Sequence, residues 1–382
     1  MRWCMSGQRS GVSDSARIAL IDVWDHRVDF TRGPFAMAHV TVQHVHGRVV
    51  CVRGDDGSTG LGEVVFLPWQ TAAGRAQCVP AEDTVLGGLI GEPWAALGDV
   101  AVRLTQRGGA WRGVALALET AWLDREAAVR GEPLGQVLGG RQQADVPDYL
   151  SVSEGSVAAL RSRVRGAGSQ YAIIQLKLGM GSVANDIHAL SAVLDVMTDE
   201  QVLLADANGG WSVDEAIDII AQFDDARIRW EEPCTAYVDN AQVARRSGRH
   251  VMVDQCVGDG CAATRAIDEG VVQSLCIKPA ALGGLLAARE LRDRATRAGL
   301  RVRIDGPWCG DIAAAAILHV ALGAPPDRLI SGCDLREPLA LATDLKGLVC
   351  VEGGRIAPPA GPGLGAGLNP DALGRPDTSY GV

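Results

Sequence analysis

Six ionisable residues recur through the middle of this chain at nearly even intervals: Lys177, Asp206, Glu231, Asp254, Lys278 and Asp305, each 23–29 residues from the next. Each closes a short β-rich run. Asp206, Glu231 and Asp254, brought to one place, would repel strongly, and a bound cation is the natural remedy. An all-oxygen set with open positions favours Mg²⁺ over zinc, so one Mg²⁺ per subunit is expected. A lysine on each side of such a site adds proton chemistry. One amine removes a proton from carbon, and the other returns or receives one on the opposite face. A carboxylate that loses its α-proton becomes an enediolate, whose charge a metal ion stabilises. The base must first be neutral, so a lysine pKa of roughly 10.4 has to fall, as nearby cations would make it do. For any single residue the plain alternative is a solvated strand edge. Five in register argue for a site.

The elements that position these residues alternate strictly. β-rich runs at 146–152, 171–177, 201–206, 228–231, 250–254, 273–278, 300–305 and 328–331 are separated by helical stretches at 158–166, 183–197, 213–223, 240–247, 262–269, 285–299 and 312–323. Strict β–α alternation implies parallel strands with right-handed crossovers. Eight repeats in roughly 200 residues suit a closed α/β barrel, with a doubly wound open sheet as the rival. In a closed barrel strands 2 and 6 face each other, so Lys177 and Lys278 would flank a substrate from opposite sides. The first 140 residues read as α+β: strands at 18–28 and 38–53, a turn at Asp55-Asp56-Gly57-Ser58 and a long helix at 110–130. Residues 1–15 read as a loose, disordered tail, 16–140 as one domain, 141–345 as the barrel and 346–382 as a closing segment.

Composition narrows the function. With 47% hydrophobic and 21% charged residues, 382 residues can build a sizeable core. Lys and Arg number 36 against 46 Asp and Glu, a net charge of −10, and no basic stripe appears, so nucleic acid is not an expected partner. No apolar run reaches the roughly 18–20 residues that cross a bilayer. Met1 to Ser15 lacks the apolar stretch of a secretory signal. The ten cysteines form no CxxC pair and sit in apolar segments, which fits free thiols in a reducing, cytoplasmic setting.

Gln175-Leu176-Lys177, Asp206-Ala207-Asn208-Gly209-Gly210-Trp211, Glu231-Glu232-Pro233-Cys234, Asp254-Gln255 and Ile277-Lys278-Pro279 with Gly283-Gly284 resemble the enolase superfamily, and more narrowly its mandelate racemase/muconate-lactonizing group. The likeness spans about residues 16–370 and includes Asp56-Gly57-Ser58-Thr59-Gly60-Leu61-Gly62-Glu63. It implies a modified (β/α)₇β TIM barrel under an N-terminal α+β capping domain, with no eighth helix and with the last segment packed on the cap. It makes Asp206, Glu231 and Asp254 the Mg²⁺ ligands and Lys177 and Lys278 the acid/base pair. Cap loops near 26–35 and 64–69 would close on a small carboxylate substrate, and the group commonly forms homo-oligomers, dimers or octamers. The stretch Asp305-Gly306-Pro307-Trp308-Cys309-Gly310-Asp311-Ile312 looks most like members acting on proline-type amino acids, the cis-3-hydroxyproline dehydratases and the proline- or hydroxyproline-betaine epimerases. Gln175 replaces the first lysine of the common Lys-x-Lys, Gln255 the usual acid after the third ligand, and Cys309 the first glycine of a Trp-Gly-Gly turn.

Around that core, Trp308, Asp305, Asn208, Gln175 and Trp69 are candidate substrate contacts. Trp308 offers an aromatic face to an ammonium, Asp305 a group to orient its loop or assist a departing hydroxyl, and Asn208 a side chain on the same face as Asp206. Trp211 and His319 read as core, and Ser151 as a turn residue. His44 and His46 form an HxH without a third zinc ligand. Gly258-x-Gly260-x-x-Ala263 has the form of a dinucleotide fingerprint, but the next strand ends in Lys278 instead of an acid. An NAD-dependent oxidoreductase and a non-catalytic ligand-binding barrel are therefore the alternatives to a dehydratase or a racemase/epimerase.

Overall fold

The computed structural model describes residues 16–30, 33–36, 41–66, 82–306, 308–333, 339–340, 349–365 and 373–381. Eight parallel strands form one sheet in unbroken chain order: Leu150–Val152, Ile173–Lys177, Val202–Asp206, Ile228–Glu231, Val251–Val253, Ser274–Ile277, Arg301–Ile304 and Leu329–Gly332. An unbroken order has no reversal point, which removes the doubly wound alternative. The last strand packs against the segment leading into the first: a Cβ added to Gly332 would lie 2.9 Å from the Val146 side chain. The first seven strands are followed by helices Val157–Ala167, Val183–Leu194, Val213–Ile220, Tyr237–Ser247, Gly260–Glu269, Leu285–Arg297 and Asp311–Ala321. After the eighth strand the next described element, Leu339–Ala340, pairs with Asp29 and Phe30 of the cap. The architecture is a (β/α)₇β barrel with an N-terminal α+β cap.

The run at 146–152 splits in two. Val146–Pro147 pairs antiparallel with Arg355–Ala357, and only Leu150–Val152 enters the barrel. Pro147 has no N–H for a central ladder, which suits it to this short edge pairing. Among the described residues no helix is long and apolar enough to cross a membrane.

The cap sheet is built on Ile18–Phe30, His44–Gly54 and Thr59–Val65, with Thr378–Gly381 added against Ile18–Phe30. Helices Ala95–Arg107 and Trp111–Val129 cover it. Sequence pattern did not show Thr59–Val65, because Gly60 and Gly62 weaken a strand signal. The structure explains both glycines. A Cβ at either would stand 2.0 Å from a carbonyl oxygen of the covering helix, of Ala121 and Ala117 respectively.

Buried carboxylates fasten cap to barrel. Glu63 accepts the N–H groups of Gly310 (2.5 Å) and Ala313 (2.9 Å) at the start of the last barrel helix. Asp124 accepts from Leu61 within the cap and from Leu364 of the C-terminal segment, fastening that segment to the cap. Glu119 accepts from Leu285 and Leu286 at the start of Leu285–Arg297, both through Oε2. Burial pushes Glu119 up to about 7, and Oε1 is the oxygen left to carry the proton. The sign follows from linkage. A carboxyl whose folded pKa is raised stabilises the fold while neutral and loses that contribution as pH climbs from the unfolded value toward and past 7. Glu119→Gln keeps the acceptor and cannot ionise. It should match the parent protein near pH 4 and exceed it by about 2–4 kcal/mol at pH 8 in urea unfolding. A lower stability for the variant at pH 8 would refute this.

Candidate active site

Parallel pairing places the key side chains in one row. Lys177 is paired with Asp206, and Asp206 with Glu231, across strands two to four. Asp254 and Lys278 follow immediately after strands five and six. The row therefore runs Lys–Asp–Glu–Asp–Lys around the C-terminal mouth, with neighbouring strands about 4.8 Å apart. Side-chain bonds join its members. The Lys177 ammonium donates to Asp206 Oδ2 at 2.6 Å. Lys278 donates to Asp254 Oδ1. Gln175 Nε2 bridges Asp206 Oδ2 and Glu231 Oε2, 3.1 Å to each. Lys177, Gln175, Asp206, Glu231 and Asp254 are buried, with Asp206 and Glu231 0% exposed, and the Lys278 side chain keeps 11% of its surface exposed.

Loop chemistry fixes the row. After strand three, Asn208 takes a positive φ of 47°, and its N–H returns to Asp206 Oδ1 at 2.9 Å. Ser212 and Glu215 then cap the next helix reciprocally. After strand four, Glu232 also takes a positive φ, 44°. Its carboxylate accepts the N–H groups of Asp254 (2.5 Å) and Cys256 (2.7 Å), tying strand four to strand five. Strained backbone at non-glycine residues concentrates at these strand ends, as it does at working sites.

Two residues that sequence pattern did not single out matter here. Glu232 is one. Arg303 on strand seven is the other: its Nη1 and Nη2 fork onto Glu231 Oε2 and Oε1 at 2.9 and 2.5 Å, and its Nε lies 3.1 Å from Asp305 Oδ2. The guanidinium stacks 5.5 Å from the Tyr149 ring centroid and lies 3.9 Å from Asp254 Oδ2. The signal was present in Arg301-Val302-Arg303-Ile304-Asp305, since alternation puts Arg303 on the inward face of Asp305.

The candidate substrate contacts fall in different places. Gln175 is 1% exposed and serves the carboxylates, steered by Ser151, whose hydroxyl donates to Gln175 Oε1 at 3.1 Å. Asp305 is buried against Arg303, Tyr149 and the Gly306 N–H. Trp308 is buried with Phe30 and Phe35 around it, ring centroids 5.2 and 5.0 Å away, and its indole N–H has no partner among the described residues. Asn208 Oδ1 is likewise buried without a partner among the described residues. Trp69 lies outside the described residues, as does most of the 64–69 loop beyond Phe66.

Trp211 packs near Trp230 and donates to Asp186, which also receives the Gly179 N–H, so the loops after strands two and three are pinned together. His319 is a satisfied core histidine, accepting from the Gly135 N–H, with burial lowering it to about 4. His44 and His46 meet edge to face, ring centroids 4.5 Å apart, and among the described residues no group of three metal-ligating side chains includes them. Asp259 caps the helix behind the Gly258-x-Gly260 turn, accepting from Cys261 and Ala262. That carboxylate occupies the place a dinucleotide phosphate would need. Cysteines 234, 256, 261 and 276 are free thiols.

Among the described residues no three His, Cys, Asp or Glu side chains stand in ready-made metal-ligand geometry. The reason is visible in the row, where amines, an amide and a guanidinium of the chain itself hold the carboxylate oxygens. The cluster is nonetheless short of positive charge. Burial, with Asp206 and Asp254 nearby, pushes Glu231 up to about 7 even against Arg303. Burial and Asp254 push Glu232 up to about 8. Burial opposes charge on both lysines, but Asp206 and Glu231 around Lys177, and Asp254 beside Lys278, outweigh it and keep both protonated. An under-neutralised all-oxygen set, with Asn208 Oδ1 idle beside it, suits a hard divalent cation.

Residues 156–372 match the family model for the enolase C-terminal domain-like fold, and residues 20–139 match that for the mandelate racemase/muconate lactonizing enzyme N-terminal domain. A cis-3-hydroxy-L-proline dehydratase from Roseibium aggregatum is 29% identical over 264 residues, covering 69% of this chain and 71% of that protein. An N-succinylamino acid racemase from an Amycolatopsis species is 28% identical over 264 residues, 67% of this chain and 69% of that one. The crystal structure of an enolase-superfamily member from Roseovarius nubinhibens ISM, complexed with magnesium, superimposes with a TM-score of 0.84 at 27% identity over 96% of this chain and 100% of that one. With both domains matched and the fold shared, this chain is an enzyme of the mandelate racemase/muconate lactonizing group of the enolase superfamily.

Proposed function

We propose that this enzyme removes the α-proton of a small carboxylate, and that its substrate is a proline-type hydroxy amino acid which then loses its β-hydroxyl as water. The observation that carries the proposal is the Lys–Asp–Glu–Asp–Lys row over strands two to six. Asp206, Glu231 and Asp254 would hold a Mg²⁺ ion. That ion would supply fixed positive charge at the substrate carboxylate, stabilising the charge that develops there and lowering the proton affinity of both amines. One of Lys177 and Lys278 takes the α-proton as the Cα–H bond breaks. The other gives its proton to the hydroxyl as the Cβ–O bond breaks, so water leaves. Asn208 Oδ1 and the Trp308 indole N–H, both buried without partners among the described residues, offer an acceptor and a donor to a polar substrate. Similarity to the Roseibium dehydratase supports the substrate class.

A second outcome uses the same lysines. The aromatic wall of Phe30, Phe35 and Trp308 suits a quaternary ammonium, which favours epimerisation of a proline or hydroxyproline betaine, with the opposed lysine reprotonating the other face. Incubation with Mg²⁺ in D₂O against a panel of proline derivatives and betaines, followed by ¹H NMR, tests the proposal. Expected are loss of the α-proton signal and dehydration of a cis-3-hydroxyproline, both abolished by EDTA. Persistence of every α-signal, or full activity in EDTA, would refute it. Exchange with inversion and no water loss would select the epimerase.

A further inference from the structure

We infer that the opposite, N-terminal mouth of the barrel binds a phosphate-class oxyanion between Arg229 and Arg301. This inference does not rest on the activity proposed above. Inward-facing positions alternate along each strand. Two residues before Glu231, Arg303 and Lys278 therefore come Arg229, Arg301 and Cys276, and before Cys276 comes Ser274, all on the inward side of their strands, with Arg301 exposed at the barrel's foot and Arg229 half-buried. Pairing sets them in a second row. Arg301 is paired with Ser274, and Ser274 with Met252. Trp230 is paired with Val251, which brings Arg229 opposite His250 one step back. His250 Nε2 touches Ser274 Oγ. Strands four to seven thus present guanidinium, imidazole, hydroxyl and guanidinium in order.

Among the described residues Arg229 donates only to neighbouring backbone carbonyls, those of Ala226 (2.6 Å) and Ile228 (3.0 Å). Among the described residues neither Arg229 nor Arg301 is ion-paired, whereas nearby Arg227 and Arg249 hold Asp225 and Asp224 at 2.6 and 2.7 Å. Burial and then the charges of Arg229 and Arg301 lower His250 to about 3, and burial with Arg301 also lowers Arg229. His250 is therefore neutral and free to orient the Ser274 hydroxyl. In a chain of net charge −10, two like-charged guanidiniums, one half-buried and one exposed, that share a rim with no ion-paired acid among the described residues are most simply explained by an anion. A tetrahedral oxyanion would accept from both arginines and from Ser274, replacing repulsion with charge-assisted bonds.

Isothermal titration with inorganic phosphate at constant ionic strength, in Mg²⁺-free buffer, tests this. The parent protein should bind phosphate with one site per chain. Arg301→Gln should weaken that site about tenfold or more, and Arg229→Gln/Arg301→Gln should remove it. Thermal stabilisation by phosphate over chloride should vanish in parallel, with kcat/KM unchanged in Arg301→Gln. A Lys278→Ala control separates the two mouths of the barrel. Phosphate binding that survives the double variant but disappears with Lys278→Ala belongs to the active-site end and overturns the inference, as does no binding above the chloride control.

Discussion

Lys177→Arg and Lys278→Arg should each fold like the parent and each lose at least about 10³-fold in turnover. Arginine separates the two jobs these lysines hold. In the structure both are cations resting on buried carboxylates, Lys177 on Asp206 and Lys278 on Asp254. Removing that charge with alanine risks leaving a buried carboxylate unpaired. Arginine keeps the charge but cannot act as a base, because its pKa lies beyond about 12. If the lysines are only structural cations, arginine preserves activity and the chemistry is refuted. If they move protons, stability holds and turnover falls. The pair also distinguishes the two outcomes. In an epimerase each lysine serves one face, so each variant still exchanges the α-proton of the one stereoisomer that faces its remaining lysine. In a dehydratase product formation is lost in both. Circular dichroism, urea unfolding and the D₂O assay on separate stereoisomers measure all of this.

What was legible in the sequence followed from period and charge. Alternating β-rich and helical stretches located all eight barrel strands, because strands buried on both faces are short apolar runs set off by helices. The ionisable residues ending those runs stood out because a charge seldom closes an apolar strand without a reason. Less legible was whatever depended on partners distant in sequence. Thr59–Val65 is a strand because helix Trp111–Val129 lies on its glycines, a tertiary fact that lowers its local strand signal. Gln175 looked like a substrate contact through the change from lysine. In the fold it is an amide spacer, 3.1 Å from each of two carboxylates, which a lysine there would have paired by charge. Glu232 looked like the second letter of a motif, yet a positive φ turns its carboxylate onto the next strand's N–H groups.

Arg303 makes the strongest case for stability. Its guanidinium is 2% exposed and holds Glu231, itself 0% exposed, through two parallel hydrogen bonds. It also meets Asp305 and lies over Tyr149. A forked donor with a planar face is required, which only arginine provides. Arg303→Met would strand two buried carboxylates, and breaking such a pair costs about 3–5 kcal/mol. Arg303→Lys restores charge without the fork and should recover only part of that loss. Reciprocal removal gives the cleaner measurement. Glu231→Gln combined with Arg303→Met leaves no uncompensated charge between them, so the double variant should be more stable than Arg303→Met alone. That sign is the discriminating result, because if Arg303 contributed only packing volume, the second substitution would add damage instead of relieving it. Urea unfolding of the four proteins closes the thermodynamic cycle, and a coupling energy near zero would show that the fork on Glu231 is incidental to the fold.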